Sequence, residues 1–176
     1  MKHPILLILL IMSTPLIAQS QQPVNYKKSA WHLHAPAINP TDYFGVTLAN
    51  GIIGLVTSPE PTRIKTIVLN GAFDTYGRGR VSNILQGFNF ADVDLRVGGT
   101  QVNSSNVSDY SQTLDMQQAV FTSSFTYNNQ VKATYTLRAL RHLPYTALID
   151  VEVTATDTAS IYLAHQMQAP DILRAR

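Results

Sequence analysis

The stretch AVFTSSFTYNNQVKATYTLRA (119–139) decides the fold. Its halves, 119–127 and 131–139, are rich in β-branched and aromatic residues, and Asn128-Asn129-Gln130 between them reads as a short hairpin loop. Strands joined so tightly must run antiparallel, because a parallel return needs a long crossover. The same signals recur outward from this pair. ADVDLRV (91–97) alternates with period two, placing Val93, Leu95 and Val97 on one face and Asp92, Asp94 and Arg96 on the other. The first face is expected inward and the second solvated. Gly98-Gly99 can turn this strand back into TQVNS. YTALIDVEVTA (145–155) puts Ile149, Val151 and Val153 inward, with Asp150 and Glu152 outward, and IYLAHQM (161–167) is a last strand. Toward the N-terminus, YFGVTLA (43–49) and IIGLVT (52–57) flank Asn50-Gly51, expected as a two-residue hairpin turn with both residues at positive φ. SPEP (58–61) ends the second of these strands, and TRIKTIVL (62–69) follows as another. About nine short strands with hairpin connections and no sustained helical period predict an all-β, antiparallel β-sandwich. No internal repeat points to a propeller or solenoid.

An apolar content of 45% with 14% charged residues is that of one folded domain or part of one, not of a disordered chain. The net charge of +2, with arginines scattered, leaves no electrostatic footprint for nucleic acid. Residues 1–20 differ from the rest. Lys2 and His3 precede the apolar run ILLILLIM (5–12), and Ala18 and Ser20 supply small residues at spacing two. This pattern predicts a secretory signal peptide cut after Ser20 or Ala18. The run is shorter than the ~20 residues a spanning helix needs, so no membrane association is expected after cleavage. Residues 21–42, punctuated by Pro23, Pro36 and Pro40, are expected to form an extended lead-in to a domain over 43–176. The absence of cysteine excludes thiolate metal sites and lipidation at the cleavage point. Together with the export signal it predicts a bacterial periplasmic or extracellular location.

Several groups could carry chemistry. NGAFDTYGRGRVSN (70–83) holds three glycines and two arginines but lacks the GxxxxGK[ST] pattern of a phosphate loop, and no helix pattern follows. It reads as a connection between strands. His32 and His34 lie on one side of an extended segment, as metal ligands could, but no third ligand stands near them in sequence. Asp92 and Asp94 form a carboxylate pair, which hydrolyses glycosides only when it flanks a cleft; beside Arg96 a solvated face is expected. Glu152 reads the same way. Ser123 and Ser124 lack the sharp elbow of a nucleophile. Asn103 and Asn106 head N-x-S/T sequons, relevant only in a host that N-glycosylates. None of these makes an active site, and no catalytic residue is assigned.

Four segments taken together resemble the N-terminal domain of glycoside hydrolase family 65. They are TDYFGVTLANGIIGLV (41–56), VSNILQGFNFADVDLRVGG (81–99), SQTLDMQQAVFTSSFTY (111–127) and LRALRHLPYTALIDVEVTA (137–155). The most telling features are Asn50, Gly51 and Gly54 in an N-G-x-x-G opening, Leu114-Asp115-Met116, and a strand pair ending in Arg141-His142. The family includes maltose, trehalose and kojibiose phosphorylases and related α-glucoside hydrolases. The resemblance implies a large antiparallel sandwich of the super-sandwich type, joined to an (α/α)₆ barrel that holds the catalytic acid. It implies inverting chemistry on α-linked glucose oligosaccharides with no organic cofactor. It also implies that the sandwich is incomplete at the C-terminus, since the chain ends at Arg176 before any barrel. In that setting Tyr76, Arg78 and Arg80 are expected to face the substrate or the domain interface. The alternative expectation is a stand-alone carbohydrate-binding or surface sandwich using Tyr76, Phe88, Phe90 and Tyr110.

Overall fold

The computed structural model describes residues 28–74 and 83–170. The expected signal peptide, and the loop carrying Tyr76, Arg78 and Arg80, lie outside the described residues. Among the described residues a single 3₁₀ turn, Lys28–Trp31, precedes twelve strands. They are β1 (His32–Ala35), β2 (Thr47–Ala49), β3 (Ile53–Thr57), β4 (Ile64–Asp74), β5 (Asn83–Gln86) and β6 (Asn89–Val97). β7 (Thr100–Gln101), β8 (Val107–Asp115), β9 (Val120–Tyr127), β10 (Val131–Ala139), β11 (Ala147–Ala155) and β12 (Ile161–Gln168) complete the set. Every recorded pairing is antiparallel. The expected all-β sandwich is therefore what forms.

One layer is a five-stranded sheet in the order β1-β8-β9-β10-β11. The β9–β10 hairpin at its centre keeps an unbroken register from Tyr127↔Val131 to Val120↔Arg138. Its turn places Asn128 and Asn129 at φ 48° and 55°, a left-handed conformation that asparagine tolerates better than most residues. The second layer is split into a four-stranded sheet, β2-β3-β4-β5, and a three-stranded one, β12-β6-β7. Two hydrogen bonds stitch the seam: Val93 N–H donates to Thr62 O (3.0 Å), and Thr62 Oγ1 donates to Val93 O (2.8 Å).

Two apolar clusters fill the space between the layers. One joins Leu48, Leu55 and Ile67 of the four-stranded sheet to Phe121, Tyr135 and Leu137. The other joins Leu95 and Val97 of β6 to Tyr110, Phe125 and Val131. Each fully buried large side chain contributes ~1.5–3 kcal/mol. The hydroxyls of Tyr135 and Tyr110 are satisfied. Tyr135 donates to Ala91 O, and Tyr110, edge-on to Phe125 at 6.2 Å, donates to Pro59 O (2.8 Å).

Three expectations need correction. Asn50-Gly51 is not a two-residue hairpin turn: only Gly51 has positive φ (96°), and Asn50 is absent from the left-handed residues. Pairing closes at Ala49↔Gly54, and Asn50 spends its side chain on hydrogen bonds instead. Gly54 is required by space, since a Cβ there would stand 2.9 Å from Val68 Cγ2. Second, β5 and β8 were not expected as strands. β8 hides its period because its inward residues are Tyr110, Gln112 and Leu114, one of them polar, and Asp109 (φ 50°) interrupts the ladder at a bulge.

Third, Asp92 and Asp94 are not solvated: they are 3% and 4% exposed. Asp92 sits at the seam, where Oδ1 accepts from Ile64 N–H (3.0 Å) and Oδ2 from Gln168 Nε2 (3.3 Å). Asp94 Oδ2 accepts from Arg96 Nε and Nη2 (3.0 and 2.8 Å). At Asp92 the outer face of β6 is covered because the neighbouring sheet starts against it, whereas Arg96 further along that face is exposed. The Asp92 carboxylate receives a main-chain donor that would otherwise be stranded, while Asp94 Oδ1 is buried without a hydrogen-bond partner. Glu152 is exposed, as expected.

Candidate functional site

The paired histidines are placed by β1, whose ladder with β8 sets His32 opposite Asp115 and His34 opposite Thr113. His32 Nε2 lies 3.3 Å from Asp115 Oδ2, and His34 Nδ1 lies 2.8 Å from Thr113 Oγ1. The two imidazoles thus tie an edge strand to the sheet. Among the described residues no group of three or more His, Cys, Asp or Glu side chains is arranged to hold a metal ion. Ser124 Oγ lies 3.3 Å from Thr134 Oγ1, while Ser123 is fully buried. Asn103 Oδ1 accepts from Ser105 N–H (2.9 Å) and Ser105 Oγ (2.6 Å), and Asn106 Nδ2 donates to Gln101 O (2.8 Å). Both asparagines shape the turn after β7.

A groove of about 410 Å³ opens between β1, β8 and the segment 37–46. Its size would admit a disaccharide. Its walls are mostly apolar, with Leu33, Ile38, Val46, Leu114 and Phe121, and Phe44 stands at its rim 88% exposed. Of its polar side chains, His34 and Thr113 hold each other, and Tyr43 and Gln112 are engaged in a further network. Tyr43 hydroxyl donates to Gln112 Oε1 (2.7 Å) and lies 2.8 Å from Thr57 Oγ1. Gln112 Nε2 donates to Ser58 O (3.0 Å) and Tyr110 Oη (2.7 Å). Burial pushes the Tyr43 phenol up from its ordinary value against the opposing hydrogen bonds from Thr57 and Gln112. This network bridges the two layers, and sequence reasoning missed it because Gln112 stands 54 and 69 residues from its partners Ser58 and Tyr43.

The two ends of the sandwich differ. At one end, chains reverse through minimal turns, Gly98-Gly99 (φ 58° and 82°) and Asn128-Asn129. At the other, three longer segments meet: 50–52, 116–119 and 140–146. Asn50 Nδ2 donates to Leu140 O (2.9 Å) and Pro144 O (3.0 Å), while its Oδ1 accepts from the N–H groups of Ile52 and Ile53 (2.9 and 3.0 Å). Arg141 Nη2 reaches Gln117 O (3.4 Å). β4 passes this end, with Asn70 N–H donating to Ile52 O (2.7 Å), and continues to the pairs Phe73↔Ile84 and Asp74↔Asn83. The Gly/Arg segment is thus the connection of an antiparallel pair. Of the alternative aromatic set, Phe88 is exposed and Tyr110 buried, so these two do not share a surface.

The telling sequence features therefore converge in space. Asn50, Gly51, Met116, Arg141 and His142 all belong to this loop end, although they span ninety residues of sequence. Comparisons with known proteins identify the family. Residues 45–169 match the family described as Glycosyl hydrolase family 65, N-terminal domain. A kojibiose hydrolase of Mucilaginibacter mallensis is 48% identical over 144 residues, 82% of this chain and 21% of that protein. A kojibiose hydrolase of Flavobacterium johnsoniae is 36% identical over 148 residues, 84% of this chain and 22% of that protein. The chain thus spans about a fifth of the length of the curated relatives it matches. With this match over most of its described residues, the protein belongs to glycoside hydrolase family 65, through that family's N-terminal domain.

Proposed function

We propose that this chain is the non-catalytic N-terminal sandwich of an exported enzyme that hydrolyses α-glucosidic disaccharides, with kojibiose the first substrate to test. The observation that carries this reading is the 48% identity to a kojibiose hydrolase over 144 residues. The burial of Asp92 and Asp94 supports the non-catalytic role: Asp92 holds the Ile64 N–H, and Asp94 Oδ2 holds the Arg96 guanidinium. β11 and β12 are edge strands, and Ile161, Tyr162, Leu163 and Met167 on β12 are exposed, which supports a sandwich that continues in further polypeptide. Tyr76, Arg78 and Arg80, in the connection between β4 and β5, are proposed to face the substrate or the catalytic part. Export is supported by the apolar run 5–12 behind Lys2 and His3. Phosphorolysis is useful only where phosphate and sugar phosphate are retained, so export favours water as the acceptor.

The complete polypeptide, assayed on kojibiose, nigerose, maltose and trehalose with and without inorganic phosphate, is expected to release glucose independently of phosphate. Formation of glucose 1-phosphate only in the presence of phosphate would refute hydrolysis. N-terminal sequencing of the same secreted preparation should begin at Gln21 or Gln19; an intact Met1 would refute export.

A further inference from the structure

The groove between β1, β8 and segment 37–46 lies at the open side of the sandwich, where that segment crosses from the edge strand of one layer to the edge strand of the other. Its apolar walls include Leu33, Leu114 and Phe121, but three of its polar side chains keep free hydrogen-bonding atoms. Asn39 and Asp42 begin and end a turn in which Asp42 N–H donates to Asn39 O (3.3 Å), with Pro40 fixing φ at its second position. Asn39 Oδ1 accepts from Thr41 N–H (3.1 Å) and Thr41 Oγ1 (2.8 Å), which orients the amide and leaves Nδ2 as a free donor. The Asp42 carboxylate is exposed and has no partner among the described residues. His34, held at Nδ1 by Thr113 Oγ1 (2.8 Å), keeps Nε2. Phe44 stands beside them, 88% exposed.

This set selects its ligand by chemistry. A carboxylate only accepts and an amide NH2 only donates, so the group that suits both must donate and accept at once, as a hydroxyl does. Two vicinal hydroxyls span the two oxygens of a carboxylate. An aromatic ring left in water by its own fold can pack against the C–H face of a pyranose. Apolar walls with a few oriented polar groups are the general make-up of a small-molecule site, and a turn already fixed loses little freedom on binding.

We propose that this groove is a binding site for a neutral α-glucoside, built entirely from this chain's own residues. Phe44 stacks on one ring, Asp42 accepts from a vicinal pair of its hydroxyls, and Asn39 and His34 hold the neighbouring ones. The choice of a glucoside rests on the reading of the chain as part of an enzyme that acts on α-glucosides; the preference for hydroxyls rests on the groove alone.

The test uses the complete polypeptide with 4-fluorophenylalanine in place of Phe44. Added methyl α-glucoside should shift the fluorine resonance saturably, with a Kd of ~1 mM, the affinity an open groove gives a ligand of this size. Asp42→Asn, which keeps the shape of the side chain, should weaken that binding about tenfold through loss of its charge-assisted hydrogen bonds. No saturable shift would overturn the proposal, and is the result expected if further polypeptide fills the groove. An equal response to cyclohexanol, which has a ring but no vicinal hydroxyls, would overturn it too, as would unchanged affinity in Asp42→Asn. If Asp42→Asn does not fold, the comparison of the two probes decides alone. Saturable binding at Phe44 in a protein inactive on every α-glucoside would sink the functional reading and leave the site standing. Glucose release from kojibiose with a silent fluorine signal would do the reverse.

Discussion

The two ends of this sandwich solve the same problem, reversing a strand, in opposite ways. At the turn end, Gly98-Gly99 and Asn128-Asn129 reverse the chain in two left-handed residues and leave only short polar loops in solvent. At the loop end, 140–146 takes seven residues, needs a side chain from the other layer to hold it, and exposes Leu143 and Tyr145. The first arrangement is local and serves only connection. The second is tertiary, and it gathers the residues by which the family is recognised.

The comparison is tested most severely at Asn50. Asn50→Ala removes four hydrogen bonds at ~1 kcal/mol each, and should cost about 3 kcal/mol in urea unfolding. Amide exchange over 140–146 should accelerate with it while 128–130 stays unchanged. Equal acceleration at both ends would erase the distinction. The turn end should respond to backbone chemistry alone. Asn129→Val forces a β-branched residue into φ 55° and should cost ~1–2 kcal/mol by the same measurement, with no change in exchange at 140–146.

The smallest effect at neutral pH, and the one that compares the two core clusters, comes from their tyrosines. Burial pushes the Tyr135 phenol well above its ordinary value, as does the nearby Asp92 charge; burial does the same for Tyr110 against its hydrogen bonds. A phenol with a raised folded pKa keeps its proton after the unfolded chain has lost its own near pH ~10. The native state then binds more protons, so stability is full below that pH and falls as pH rises above it. Urea midpoints measured from pH 9 to 11.5 should decline. Tyr135→Phe and Tyr110→Phe should each flatten the decline, and a slope unchanged in both would show that the alkaline loss arises elsewhere.

Local readings succeeded where a strand carried its own alternation. β9, β10 and β11 were legible because their period-two patterns match one buried and one open face. β8 was illegible because Gln112 occupies an inward position, acceptable only once Tyr43, Tyr110 and Ser58 surround it. Asn50-Gly51 was read as a turn from its dipeptide alone, whereas its asparagine serves the opposite layer, ninety residues away. The loop end as a surface was visible only as separate motifs, with no sign in the sequence that they touch.

By itself, then, the sequence determined the class of fold, the central hairpin, the Gly98-Gly99 turn and the family, since each depends on neighbours in the chain or on motif order. Only the tertiary structure decided that Asp92 and Asp94 are buried acceptors and that Asn50, Gln117 and Arg141 meet at one end. The physical reason is common to both. Whether a polar group is solvated or paired depends on which main-chain donors and acceptors the facing layer brings to it, and no local pattern encodes the far side of a sandwich.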